Sequence, residues 1–230
     1  TATTAQPIPG FALESAADQR MLEAGVVRHP RADTARAHSR ALSAETHVAG
    51  TPAQLRTRDY VLERMQAMGL QTEVRSYSVF MPHATSVRLW RIAPTEKELS
   101  LREPAVEGDS TSRTWQYPTV NGYSGAGEAE GEIVYVNYGL IEDYARLDSL
   151  GVSVRGRIAV ARYGRSFRGI KAREAERHGA AALLIYSDPQ NDGYVRGDVY
   201  PEGPMRNWDG VQRGSVFNGT GDPATPGYAS

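Results

Sequence analysis

GRIAVARYGRSFRGIKAREAERHGAAALLIYSD, residues 156–188, is the stretch that decides the fold. Residues 158–163 form a short apolar run almost free of polar alternation, the pattern of a strand buried on both faces. Gly164 and Gly169 bracket a turn, and residues 170–178 then follow a helical period. On that helix Ile170, Ala172 and Ala175 make a small apolar face, and Lys171, Arg173, Glu174, Glu176 and Arg177 make a charged one. His178 falls in the last turn, where a cation suits the helix dipole, and Gly179 falls where a left-handed cap belongs. Residues 181–186 are a second apolar run, closed by the turn Ser187-Asp188-Pro189. Strand, helix and strand of this kind make a parallel βαβ unit with a right-handed crossover.

Working outward, residues 132–138 (EIVYVNY) read as another strand. Residues 141–150 read as a short helix, with Glu142 and Asp143 in its first turn and Gly151 as its stop. Upstream, residues 1–10 are small, polar and broken by proline, like a linker or the end left by signal-peptide removal, which tilts the expected location toward periplasmic or secreted. Residues 15–27 and 32–42 read as helices, and residues 46–52 as a loop before an amphipathic helix. Leu55, Tyr60, Val61, Met65 and Met68 supply the apolar side of that helix, and Gly69 ends it. Residues 71–80 alternate like a half-exposed strand, and two shorter strands are expected near 86–92 and 98–101. Residues 103–116 read as loop, and 115–127 as loop with a short strand. Beyond Asp188 the chain is dense in Gly, Pro, Asp and Asn, yet its Tyr, Trp, Val and Phe predict that it packs over a surface supplied by the rest. The fold class expected is α/β (α+β mixed).

The 230 residues suffice for one large domain, or for a domain and part of another. A net charge of −1 removes the electrostatic case for nucleic acid or an anionic membrane, so no nucleic-acid partner is expected. With no cysteine, disulfides and thiolate metal sites are excluded. The five histidines (29, 38, 47, 83 and 178) show no metal-ligand spacing. Gly122-Tyr123-Ser124-Gly125-Ala126 lacks the last glycine of a nucleophile elbow and reads as a tight turn. The loop 164–169 matches no phosphate-binding fingerprint, and 188–193 lacks the ligand spacing of a calcium loop. Asn218-Gly219-Thr220 is a glycosylation sequon, meaningful in a eukaryotic secretory setting. No self-sufficient active site is visible.

Residues 131–228 nevertheless resemble the protease-associated (PA, apical) domain of the glutamate carboxypeptidase II and transferrin receptor group of M28 zinc metallopeptidases. The matching words are EIVYVNYGLIEDYARL, GRIAVARYGRSFRGIKAREAERHGAAALLIYSDP, the VYPEG and GVQRGSV pair, and GDPATPGY. THVAGTP, with the helix and strand that follow, looks like the start of that family's peptidase domain. The resemblance implies a flexible tail over 1–14, an opening segment of the peptidase α/β domain over 15–80, and a PA domain over 81–230, incomplete at its C-terminal end. It implies an exopeptidase of the carboxypeptidase or dipeptidase type, acting on small peptides with two zinc ions. Their ligands would lie downstream of Ser230, so no catalytic residue is expected in this chain, which should be inactive alone and should partner the rest of the peptidase polypeptide.

In the same family the apical domain lines the substrate pocket. The position of its carboxylate-gripping arginine falls on Leu140, and that of a pocket asparagine falls on Met205. Both replacements imply an apolar C-terminal residue on the substrate, with Arg206 as a substitute carboxylate partner. Thr225 and Tyr228, in Thr225-Pro226-Gly227-Tyr228, match a structural calcium site completed elsewhere. The alternatives kept open are a non-catalytic, transferrin-receptor-like protein and a free-standing PA module that binds peptides or proteins. A homodimer is among the partners compatible with the peptidase reading, and an isolated chain is expected to self-associate through Leu55, Val61 and Met65.

Overall fold

The computed structural model describes residues 7–79 and 81–218. They divide into two compact units, Thr1–Glu73 and Val74–Ser230.

The first unit is helical. After a 3-10 turn at Leu13–Ser15, α1 spans Ala16–Arg28, α2 spans Ala32–Leu42 and α3 spans Pro52–Ala67. Helix α3 starts sharply because Thr51 and Pro52 do complementary work. The Thr51 hydroxyl oxygen accepts from the Gln54 amide at 3.3 Å, and Pro52 fills a first-turn position whose N–H would have no partner. It stops as sharply in a Schellman motif, with Gly69 N–H donating to Gln66 O and Leu70 N–H to Met65 O. That geometry needs Gly69 at φ +80°, where a side chain would be strained. Tyr60 of α3 meets His38 of α2 at 2.7 Å, and Arg56 grips Glu45 with two bonds of 2.7 Å. Burial is slight, since Met21, Leu22, Val26 and Val27 of α1 all stand exposed.

Among the described residues, 71–79 form no strand, contrary to the alternation of that stretch. Alternation marks a segment able to pair; a strand exists only where a neighbour completes its ladder, and none of the described residues does so here. Phe80 lies outside the described residues. The two shorter strands shrink to β1 (Trp90–Arg91) and β2 (Lys97–Glu98), an antiparallel pair with Trp90 opposite Glu98. Between them and the sheet that follows, a 3-10 turn covers Ser110–Arg113 inside the expected loop.

The rest of the second unit is built on the expected parallel crossovers. Strand β3 (Ile133–Tyr135) leads to α4 (Ile141–Ser149), β4 (Ile158–Arg162), α5 (Arg168–Arg177), β5 (Ala182–Tyr186) and the short α6 (Pro189–Asp192). The sheet order is β3-β4-β5, all parallel, with Val134 beside Ala159 and Ala159 beside Leu183. Both crossovers advance the same way across the sheet, so two connections of one hand put α4 and α5 on one face. The core lies there: Val134, Val136, Ala159 and Ala161 from the sheet, Tyr144 from α4 and Ala175 from α5. Alanines at the centre of β4 let the helices approach closely.

The sequence's case for strands buried on both faces needs correcting. Ala159 and Ala161 are buried, but Ile158 and Val160 are half-buried, and Ile133 and Tyr135 are exposed. An uninterrupted apolar run reports that no polar residue is required on the second face; it does not supply a cover for it.

The charged face assigned to α5 also needs correcting. Lys171 and Glu174 are buried with Ala175, at the i, i+3 and i+4 spacing of one inward stripe. Each is accommodated by partners from its surroundings, so residue type alone misplaces them. The described part of the tail, residues 189–218, packs against the domain, as its aromatic content predicts. Tyr163 Oη donates to Gln212 O, Arg213 holds Glu103 at 2.7 Å, and Gly122 bridges Ser215 in parallel.

Candidate site at the C-terminal ends of the sheet

In open parallel sheets, ligand-binding side chains collect beyond the carboxyl ends of the strands. Here those ends carry Asn137 and Tyr138 after β3, Arg162 at the close of β4, and Asp188 after β5. Parallel pairing sets these scattered positions side by side.

Arg162 is the hub. Its Nη1 donates to Asp188 Oδ2 at 2.8 Å, its Nε to Asn137 Oδ1 at 3.1 Å, and its guanidinium carbon lies 3.9 Å from the Tyr138 ring centre. The guanidinium bond holds the Asp188 carboxyl below the usual carboxylate range, with a second contribution from the Gln190 amide that Asp188 caps on α6. The same bond raises Arg162 further above its already high value. Asn137 sits at φ +51° and donates from Nδ2 to Asp143 Oδ1 at 2.7 Å. The other oxygen of Asp143 accepts the Leu140 amide at 3.0 Å. One chain of bonds therefore runs Asp188, Arg162, Asn137, Asp143, Leu140, from the end of β5 to the head of α4.

Beneath it lies Lys171, with 0% of its surface exposed. Its ammonium donates to Tyr138 O at 2.5 Å and Gly164 O at 2.9 Å. Burial, with Arg162 nearby, pulls it down to about 8 from its ordinary 10.5, and Asp143 works in the opposite direction. Tyr144 is also buried; its ring stacks on His178 at 4.3 Å, and burial pushes its phenol up to about 12. Glu174 is satisfied by Arg173 at 2.9 Å and Arg177 at 3.1 Å.

Leu140, half-buried, stands at the N-cap of α4. Met205 pairs with Val199 in a parallel bridge, and Arg206 donates from Nε to Asp192 Oδ2 at 3.1 Å. Arg206, Asp188, Asp192 and the exposed Trp208 line one small cleft, which neither Leu140 nor Met205 lines. The structure thus sets Arg206 in the same cleft as Asp188 of the strand-end network and holds Leu140 through Asp143. The Asp192 carboxylate, which also accepts from Gln212 Nε2, already occupies Arg206. Thr225 and Tyr228 lie outside the described residues. Among the described residues no group of three or more His, Asp or Glu stands together to hold a metal, so they do not fit a zinc site.

Sequence reasoning missed Asn137, Arg162, Asp188 and Lys171 as one assembly. For Lys171 a signal existed: of 26 cationic side chains only Lys97 and Lys171 are lysines. Asp188-Pro189, a capping residue before proline, likewise signals the short α6 in place of the expected turn.

Comparison with known proteins agrees with this architecture. Residues 116–221 match the model of the PA domain. A probable glutamate carboxypeptidase of Arthroderma benhamiae is 40% identical over 189 residues, covering 78% of this chain and 26% of that protein. Probable glutamate carboxypeptidase VP8 of Zea mays is 41% identical over 196 residues, covering 83% of this chain and 24% of that protein. Vacuolar protein sorting-associated protein 70 of Saccharomyces cerevisiae is 34% identical over 184 residues, covering 74% and 22%. An aminopeptidase from Aneurinibacillus sp. strain AM-1 superposes with a TM-score of 0.41 at 22% identity, over 82% of this chain and 35% of that one. The chain spans about a quarter of the length of the curated relatives it matches. This mixed α/β chain, with its PA domain, belongs to the glutamate carboxypeptidase family.

Proposed function

We propose that the chain is the opening part of a zinc-dependent M28 exopeptidase of the carboxypeptidase or dipeptidase type, and that this part caps the active site and shapes its substrate pocket. The observation that carries the reading is the 40% identity over 189 residues to a probable glutamate carboxypeptidase. The described residues fit no zinc site, so the two zinc ions and the groups that activate water belong to polypeptide outside them. The contribution proposed for this chain is binding and orientation. Leu140 at the head of α4, and Met205 beside Val199, supply apolar surface to the C-terminal side chain of a short peptide. Arg206, paired with Asp192, offers its remaining guanidinium donors to the substrate carboxylate. Thr225 and Tyr228 would add oxygens to a structural calcium site, which needs six or more.

The relative that bears a vacuolar sorting name supports a second reading, a non-catalytic member that uses the same fold to bind protein or peptide. One assay separates them. The full-length protein, with zinc, is given matched dipeptides ending in Leu, Phe, Glu or Lys. Hydrolysis with Leu and Phe preferred over Glu supports the pocket as described. Hydrolysis with Glu preferred keeps the peptidase and removes Leu140 and Met205 from the pocket. No hydrolysis of any of them leaves the binding reading.

A further inference from the structure

We propose that Lys171 is a positioning residue: its buried ammonium bolts the Tyr138 carbonyl of the β3–α4 turn to the Gly164 carbonyl of the β4–α5 loop, and so fixes Leu140 at the head of α4. The two segments also meet where the Arg162 N–H donates to Asn137 O and where Arg162 and Arg165 lie over the Tyr138 ring, and Lys171 adds a side chain that binds a backbone carbonyl of each. The 136–140 turn lies directly on the lysine stem, because a Cβ at Gly139 would stand 3.6 Å from Lys171 Cβ and 3.4 Å from Ala161 Cβ. Gly139 also holds φ +64°, so that turn has one backbone path over α5. From the other side, a Cβ at Gly164 would come within 3.2 Å of the Tyr138 ring. Lys171 closes this interlock with one donor to each carbonyl, and its third side lies 5.5 Å from the Tyr138 ring centre.

A compact ammonium reaches two converging carbonyls where a planar guanidinium would need a wider slot. That is a physical reason for a lysine at 171 in a chain whose cations are almost all arginine. The charged groups around it come from every packed element. Asp143 of α4 favours the charge and Arg162 of β4 opposes it. Arg165 shares the Tyr138 ring at 4.7 Å, Asp188 neutralises Arg162, and Glu174 on the same helix is taken by Arg173 and Arg177.

The bolt has a pH signature that passive packing lacks. When the loops part, Lys171 reaches water and recovers its ordinary proton affinity. Opening therefore takes up a proton, and it becomes rarer as pH rises. With the amine near 8 when closed and 10.5 when free, the opening constant falls about tenfold between pH 7 and pH 9. Quenched-flow hydrogen exchange on the chain, corrected for intrinsic rates, is the test. Amides of residues 139–143 should show this fall, at opening constants well above those of the core-strand amides Ala161 and Leu184, which exchange through global unfolding. In Lys171→Met the pH dependence should vanish, and the same amides should exchange at least tenfold faster than wild type at pH 9. Unchanged exchange in Lys171→Met, or a flat wild-type profile, overturns the proposal.

Should that variant not fold, amine acylation of the wild-type chain decides, since Lys97 and Lys171 are its two lysines. Lys171 should react at least tenfold more slowly than the exposed Lys97; any faster reaction overturns the proposal. The consequence for substrate rests on the pocket reading of Leu140. In the full-length enzyme Lys171→Met should raise KM for dipeptides ending in Leu with kcat kept. Loosened loops with KM unchanged would leave the bolt standing and remove Leu140 from the pocket.

Discussion

Burying Lys171 gives the second unit a stability that rises with pH across the alkaline range. The amine titrates at about 8 in the folded chain and at its ordinary 10.5 once unfolded. Between those values the unfolded chain holds a proton that the folded chain has released, so raising the pH favours folding. The full difference is worth about 3 kcal/mol, and about 2.2 kcal/mol of it accrues between pH 8 and pH 10. For a urea slope of about 2.5 kcal/mol/M, this moves the unfolding midpoint up by about 1 M. Other groups titrate in the same region, Tyr144 with the opposite sign above its ordinary 10, so the comparison is with Lys171→Met. Urea unfolding followed by far-ultraviolet circular dichroism at pH 7, 8, 9 and 10 gives both curves. Their difference isolates the lysine: it should be flat below pH 8 and then climb in favour of wild type. A difference that stays flat to pH 10, or falls, would refute the reasoning and place the ammonium in contact with water.

Asp188→Asn should cost about 1.5–3 kcal/mol, because it removes the charged partner of the half-buried Arg162 and leaves Asn137 as the hydrogen-bonding side chain on that guanidinium. A thermal midpoint unchanged within a degree would mean that the pair contributes nothing. Tyr144→Phe should be neutral or mildly stabilising, within about 1 kcal/mol, because the buried hydroxyl has no hydrogen-bond partner among the described residues. A loss beyond about 2 kcal/mol would show that the hydroxyl is bonded in solution. Leu55, Val61 and Met65 remain exposed on α3, so the 230-residue chain alone should self-associate, and a monodisperse monomer by light scattering at high concentration would contradict this.

The elements built on long apolar periods were legible before any coordinate. Residues 158–163 and 181–186 became β4 and β5, the helix between them became α5, and Gly69, Gly151 and Gly179 ended helices at positive φ. What could not be read was anything decided by a partner distant in sequence. Among the described residues the alternation at 71–79 finds no ladder and the second sheet face finds no full cover. Charge alone assigns Lys171 and Glu174 to solvent, whereas carbonyls of two loops and two arginines let them turn inward. The strand-end network was equally hidden: Asn137, Arg162 and Asp188 lie 25 and 26 residues apart, and only the β3-β4-β5 register brings them together. Leu140, Met205 and Arg206 were reached through family resemblance, and geometry then supplied their different supports.

The central claim is that this chain caps a metallopeptidase. Its most direct test is the intact mass and zinc content of the protein isolated from its native source. The account predicts a polypeptide two to four times the 25.1 kDa of this chain, in keeping with relatives of which the chain spans about a quarter, carrying about two zinc ions each. A polypeptide of that size with no zinc, or a native mass near 25.1 kDa, would contradict it.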